Sequence, residues 1–300
     1  MKRKNIITSI LFIGIFIFVL YKLDDITDFL IKYISSTPEV ILPEKNQYAR
    51  NIDYKYVQKT EDFMPYSKQD ILNIFYSYLD NGYDNVTFYC PKEYIECVDD
   101  ITDIINDQSI ITDIGNFVHP FNNFHDVYLS TSTSGEVNLK INKTYTEEER
   151  AKINEKVDEI IAKIFTDEMN LNDKILAAHD YIIDNTTYDE TDNEELNAYN
   201  LFFDGIAKCF GYADAMAIIL DRLGVKNFKV GSNEHVWNVV YLDNEWNHID
   251  VTWDDPIVLT NNQITSTIRH KFYMIDTKTL LEYDSEQHNF NQKTYLELAI

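Results

Sequence analysis

Cys209 lies in the stretch AKCFGYADAMAIILDRLG, Ala207 to Gly224. Met216, Ile219, Leu220 and Leu223 recur there at helical spacing, and Gly224 is placed to cap a C-terminus. The pattern predicts a helix over 212–223 with Cys209 at its beginning. Unpaired N–H groups and the helix dipole favour negative charge at that position, and the thiolate is the form of cysteine that attacks a carbonyl. The alternative is a small buried residue under the first turn. A base within reach would decide between them.

Past Gly224 the periodicity becomes two. NFKVGSNEHVWNVVYLDNEWNHIDVTWDDP, from Asn227, predicts strands over 228–230, 235–242 and 245–252, with a tight turn at Asp243-Asn244. A two-residue turn sets Leu242 opposite Glu245 and His235 opposite Thr252. Asp250 is then the diagonal neighbour of His235 on one sheet face. A carboxylate there would fix the imidazole tautomer and leave the other ring nitrogen as a base. Together these are the parts of an activated thiol nucleophile. His235 takes the thiol proton, Asp250 orients the ring, and N–H groups at the helix start, that of Cys209 among them, face the developing oxyanion. His248 shares the face of Asp250 and is the rival base. Trp237, Trp246 and Trp253 are read as packing around the hairpin. A hairpin whose polar residues only satisfy one another is the competing reading.

KCFGYADAMAIILDRLGV followed by HVWNVVYLDNEWNHIDVTWDDP resembles the transglutaminase-like family, as does the upstream KILAAHDYIIDNTTYDE. The resemblance spans roughly residues 172–256. It implies an α+β, papain-like core in which a helix carrying the cysteine packs on an antiparallel sheet carrying histidine and aspartate. It also implies that Cys209 is the nucleophile, His235 the general base and acid, and Asp250 the orienting residue. The thiol would attack a peptide or glutamine amide, form a thioester and pass the acyl group to water or to an amine. Many bacterial relatives are regarded as proteases, which places hydrolysis ahead of transglutaminase crosslinking. A membrane-tethered binding module that keeps the fold without reactivity is the alternative of a different class. No cofactor is expected and the chemistry needs no metal. Some relatives use calcium, but the acidic run DETDNEE from Asp189 lacks the alternating ligands and glycine of a calcium loop.

Fifty acidic against 26 basic residues in a chain of 300 give a formal charge of −24, which would be repelled by phosphate backbones, so nucleic acid is not expected as a partner. With 45% hydrophobic and 14% aromatic residues the chain can build a large core. Its first residues, MKRKNIITSILFIGIFIFVLYKLDD, place three basic residues before an apolar run. A helix from Ile6 to Leu23 would be about 27 Å long. An uncleaved membrane anchor over 1–23, with the rest of the chain outside the cell, is expected; a cleaved secretory signal is the competing reading. Residues 24–66 read as a linker, 67–145 as an α+β region of unknown role, and 146–300 as the transglutaminase-like domain. Cys90 and Cys97 would be about 10 Å apart on one continuous helix, but Pro91 separates a strand from a helix there. A disulfide between them is left open.

Overall fold

The computed structural model of the chain describes residues 39–189, 191, 196–255 and 269–300, residues 22 and 27, and the backbone of 258–259 and 263–264. The apolar segment expected as an anchor over 1–23, apart from Lys22, and most of DETDNEE lie outside the described residues. Among the described residues no helix is long and apolar enough to cross a membrane. Residues 42–300 form one unit.

The unit opens with α1 (Lys68–Asp80), β1 (Asn85–Tyr89), α2 (Cys97–Asn106) and α3 (Gln108–Asn116), then the hairpin β2 (Phe124–Thr131) and β3 (Glu136–Lys143). Two longer helices come next, α4 (Glu147–Ile164) and α5 (Leu171–Asn185). After them are β4 (Thr187–Tyr188), α6 (Ala198–Asp204), β5 (Ile206–Ala207) and α7 (Cys209–Arg222). The chain continues as β6 (Asn227–Gly231), β7 (Val236–Leu242), β8 (Glu245–Ile249) and α8 (Val251–Asp254), a short pair β9 (Val258–Leu259) and β10 (Gln263–Ile264), then β11 (Tyr273–Ile275) and α9 (Thr277–Tyr283). Two antiparallel sheets result. One runs β1-β3-β2, the other β11-β8-β7-β6. The antiparallel α+β class expected from the sequence is present.

Local signals explain many of these boundaries. Thr146 Oγ1 accepts the N–H of Glu149 while Glu149 Oε2 accepts the N–H of Thr146, and this capping box starts α4. Gly224, at φ +71°, ends α7, and the Val225 N–H returns to the Leu220 carbonyl. Asp243 and Asn244 both hold positive φ, which gives the expected Leu242↔Glu245 pairing. Two expectations fail here. The helix expected to open at Pro91 begins only at Cys97, because Pro91 to Glu96 form turns, and this lets Cys90 and Cys97 approach to a Cα separation of 5.9 Å and form a disulfide. The helix predicted as amphipathic over 212–223 is buried all round, every residue from Gly211 to Leu220 being enclosed. Helices α5, α6 and α8 pack on it, as do β6 and β7 of the sheet. Its buried acid, Asp214, accepts from Lys229 Nζ at 2.5 Å and from the Tyr145 hydroxyl at 2.6 Å.

The linker expected over 24–66 does not describe the stretch from Leu42 onward. Tyr54 and Val57 are fully buried, and Arg50 reaches into the unit. Its guanidinium pairs with Asp221 at 2.7 Å and donates to the carbonyls of Asn227 at 3.0 Å and Phe117 at 3.3 Å. Sequence patterning missed this because the segment has no regular element; side-chain hydrogen bonds hold it in place. Arg50→Ala is expected to destabilise the protein by about 3 kcal/mol, the usual cost of breaking a largely buried pair. Urea unfolding would measure it, and a change below about 0.5 kcal/mol would show that the strap is dispensable.

Candidate active site

Cys209 is the first residue of α7, one turn earlier than the apolar pattern reached, and it is a half-buried thiol outside the disulfide. The approach is set by backbone. β5 pairs in parallel with β4, the Asp189 N–H donates to the Ala207 carbonyl at 3.0 Å, and the chain then turns directly into the helix. Lys208 offers no side-chain cap, so the N–H groups of the first turn are left to face a ligand. Gly211 is required by contact. A Cβ there would lie 2.7 Å from the Leu196 carbonyl oxygen and 2.9 Å from the Ala207 Cβ. Asn238 on β7 donates to the Ala213 carbonyl at 2.9 Å, tying this turn of the helix to the sheet.

His235 and Asp250 meet, but by a route the strand pattern did not give. The third strand, expected to reach Thr252, stops at Ile249, and Asp250 becomes the N-cap of α8 with Oδ1 accepting the Trp253 N–H at 3.0 Å. His235 sits just before β7, its N–H held by Ser232 Oγ at 3.1 Å. The predicted pairing of His235 with Thr252 is therefore absent, because an aspartate that can cap a helix ends the ladder. His235 Nε2 lies 2.6 Å from Asp250 Oδ2. The other nitrogen, Nδ1, is not engaged by Asp250, and Cys209 is near enough to help raise the pKa of the ring. Burial alone would lower the pKa of His235, but the charge and hydrogen bond of Asp250, with a smaller contribution from Cys209, hold it up at about 10. Burial would raise Asp250, and its two histidine partners reverse this and hold it far below the usual carboxylate range. The rival base His248 is fully buried. Its Nδ1 accepts from the Trp237 indole at 2.9 Å, its Nε2 meets Thr277 Oγ1 at 3.0 Å, and burial pushes its pKa down to about 3.

Comparison with known proteins covers the segment that holds Cys209, His235 and Asp250. The segment 158–251, which contains all three, matches the transglutaminase-like superfamily. No curated protein matches the chain. Among solved structures, one described as a TGase is 19% identical with a TM-score of 0.29, covering 42% of this chain and 44% of its own. A candidate cysteine protease from Cytophaga hutchinsonii is 13% identical with a TM-score of 0.28, covering 42% of this chain and 61% of its own. The chain thus spans about half the length of these structures.

The unit contains two clusters that the sequence did not reveal. His288 Nε2 lies 2.8 Å from Asp250 Oδ2, the atom that also meets His235. It falls beyond the recognisable motifs, and its one sequence signal is helical spacing from Asp284, its partner at Nδ1. The other cluster is built on His179, a buried residue of α5. Its Nε2 lies 3.2 Å from the buried carboxylate of Asp254, and its Nδ1 lies 3.1 Å from Asp180 Oδ1, which His270 Nε2 also approaches at 2.7 Å. These distances bear on whether His179, Asp180 and His270 could hold a metal. Ligands each about 2.0–2.1 Å from a zinc ion sit about 3.3 Å from one another, so 2.7 Å is a hydrogen-bond spacing. The cluster joins α5 to α8 and so braces the turn that carries Asp250.

A histidine whose pKa rises on folding stabilises the fold fully below its unfolded value near 6.5, and that contribution is lost as the pH climbs through about 10. Urea midpoints should therefore fall across this window, and fall less steeply in Asp250→Asn. Parallel slopes in the two proteins would show that Asp250 does not set the His235 equilibrium.

Proposed function

We propose that the protein is a thiol-dependent hydrolase or acyltransferase acting on peptide or glutamine amide bonds, with hydrolysis as its main outcome. The observation that carries this is the convergence of Cys209, His235 and Asp250 at the mouth of a buried helix. Cys209 Sγ attacks the carbonyl carbon while its proton resides on His235, and the carbonyl oxygen becomes an oxyanion facing the uncapped N–H groups of α7. The tetrahedral intermediate collapses, His235 gives its proton to the departing amine or ammonia, and a thioester remains. His235 then removes a proton from water or from a primary amine, which attacks the thioester carbonyl. The product is an acid or a new amide, and the thiol is restored. Throughout, Asp250 holds the ring by Nε2, which frees Nδ1 to exchange the proton with sulfur.

The Cys90–Cys97 disulfide supports a working place outside the reducing cytoplasm, in keeping with an N-terminal apolar segment that anchors or exports the domain. Protein or peptide chains at the cell surface would be its substrates. Residues 39–300 should be incubated with a glutamine-containing protein and a biotinylated primary amine, with peptide cleavage, ammonia release and amine incorporation followed together. Cleavage or ammonia release that falls more than about 10⁴-fold in Cys209→Ala is expected. Cys209-dependent incorporation would make the enzyme a transglutaminase, and silence in every channel would favour the binding-module reading.

A further inference from the structure

Asp250 Oδ2 is shared between two imidazoles. His235 Nε2 lies 2.6 Å away and His288 Nε2 2.8 Å away, while Oδ1 takes the Trp253 N–H. His288 is fully buried, and its second nitrogen, Nδ1, lies 2.8 Å from Asp284 Oδ2. Each ring nitrogen of His288 thus faces a carboxylate oxygen, and an ionised carboxylate can only accept. Both bonds form together when the ring carries both protons. Three aromatic rings surround it: Trp237 at 4.8 Å, Trp253 at 4.9 Å and Phe272, nearly parallel, at 5.2 Å. Such rings hold the imidazole plane and favour a cation. The other titratable groups around it are His235, with its ring centroid 5.4 Å away, and neutral His248. Asp284 is itself locked in place, because Oδ2 also accepts the N–H groups of Gln287 at 3.0 Å and His288 at 3.2 Å.

We propose that His288, held by Asp284, is a positioning residue that extends the Cys209–His235–Asp250 set, an imidazolium that clamps Asp250 and balances its charge. This rests on the reading of those three residues as reactive. A lone buried carboxylate beside His235 could rotate or take up a proton. With His288 behind it, Asp250 keeps its charge and aim, while part of its field is neutralised, so His235 is held less tightly in its charged form and can release its proton to the leaving group. Trp253 links the two sides, since its ring lies beside both histidines and its N–H is bound by Asp250.

The test uses His288→Gln, which keeps an N–H donor, and Asp284→Asn, a milder change at the edge of the site, with thermal unfolding as a control for folding. In both, kcat on whichever amide substrate the wild type turns over is expected to fall about 10–100-fold with KM unchanged, as for other residues that orient reacting groups from behind. The alkaline limb of the pH profile is expected to move up by about one unit, because the charge of Asp250 is no longer balanced. Unchanged kcat and pH limbs in folded variants would overturn the proposal. Nitrogen-15 spectra of the wild type need neither a variant nor a substrate. Two protonated ring nitrogens on His288 at pH 7 are expected, and a neutral ring would overturn the proposal. Were the wild type inactive on every substrate, these spectra would still decide the state of His288, so failure of the functional reading and failure of this one are separable.

Discussion

A carboxylate with almost no exposure to water governs the end of the unit where Cys209 and His235 lie. Asp250 is 1% exposed and ionised, a state that burial opposes strongly. It persists because every approach to the carboxylate is occupied by a donor: His235, His288 and the Trp253 N–H. Its own N–H is bound by the Phe272 carbonyl. The architecture around it can be read as the means of delivering those donors. β7 and β8 bring His235, α8 begins where Asp250 caps it, and the chain from 272 to 288 closes the remaining side.

The thiol is positioned by different physics. Cys209 is carried by a helix enclosed from Gly211 to Leu220, whose internal acid is tied to Lys229 and Tyr145. Gly211 lets the first turn settle against the Leu196 carbonyl, and Asn238 fastens the next residues to the sheet. One half of the site is therefore set by close packing and the other by hydrogen bonds. The two halves meet where Cys209 lies near enough to His235 to influence its protonation.

Legibility in the sequence divides along related lines. Periodicity located α7, β7 and β8, and turn chemistry gave the Leu242↔Glu245 register, because these depend on neighbours close in the chain. Cys209, His235 and Asp250 were legible for the same reason, since they occupy recognisable strings. Asp250 was placed on a strand because alternation continues through Thr252, whereas the capping bond from Trp253, invisible in a hydropathy pattern, turns the chain into a helix. His288, Arg50 and the partnership of His179 with Asp254 could not be read, because each meets a partner 38 to 171 positions away through one side chain. Single long-range hydrogen bonds leave no periodic trace.

Tyr295 has a further bearing through its hydroxyl, which joins Asn116 at 2.9 Å, the Gly231 N–H at 3.0 Å and Asp113 at 2.7 Å. It is translated after every reactive residue, as is His288. A nascent chain leaving the ribosome or a translocation channel thus holds its thiol and His235 well before it can seat Asp250 or lock α3 against β6. Vectorial synthesis itself delays assembly of this end of the unit, and a chain cut short before residue 288 carries Cys209 without the groups that complete the surroundings of Asp250.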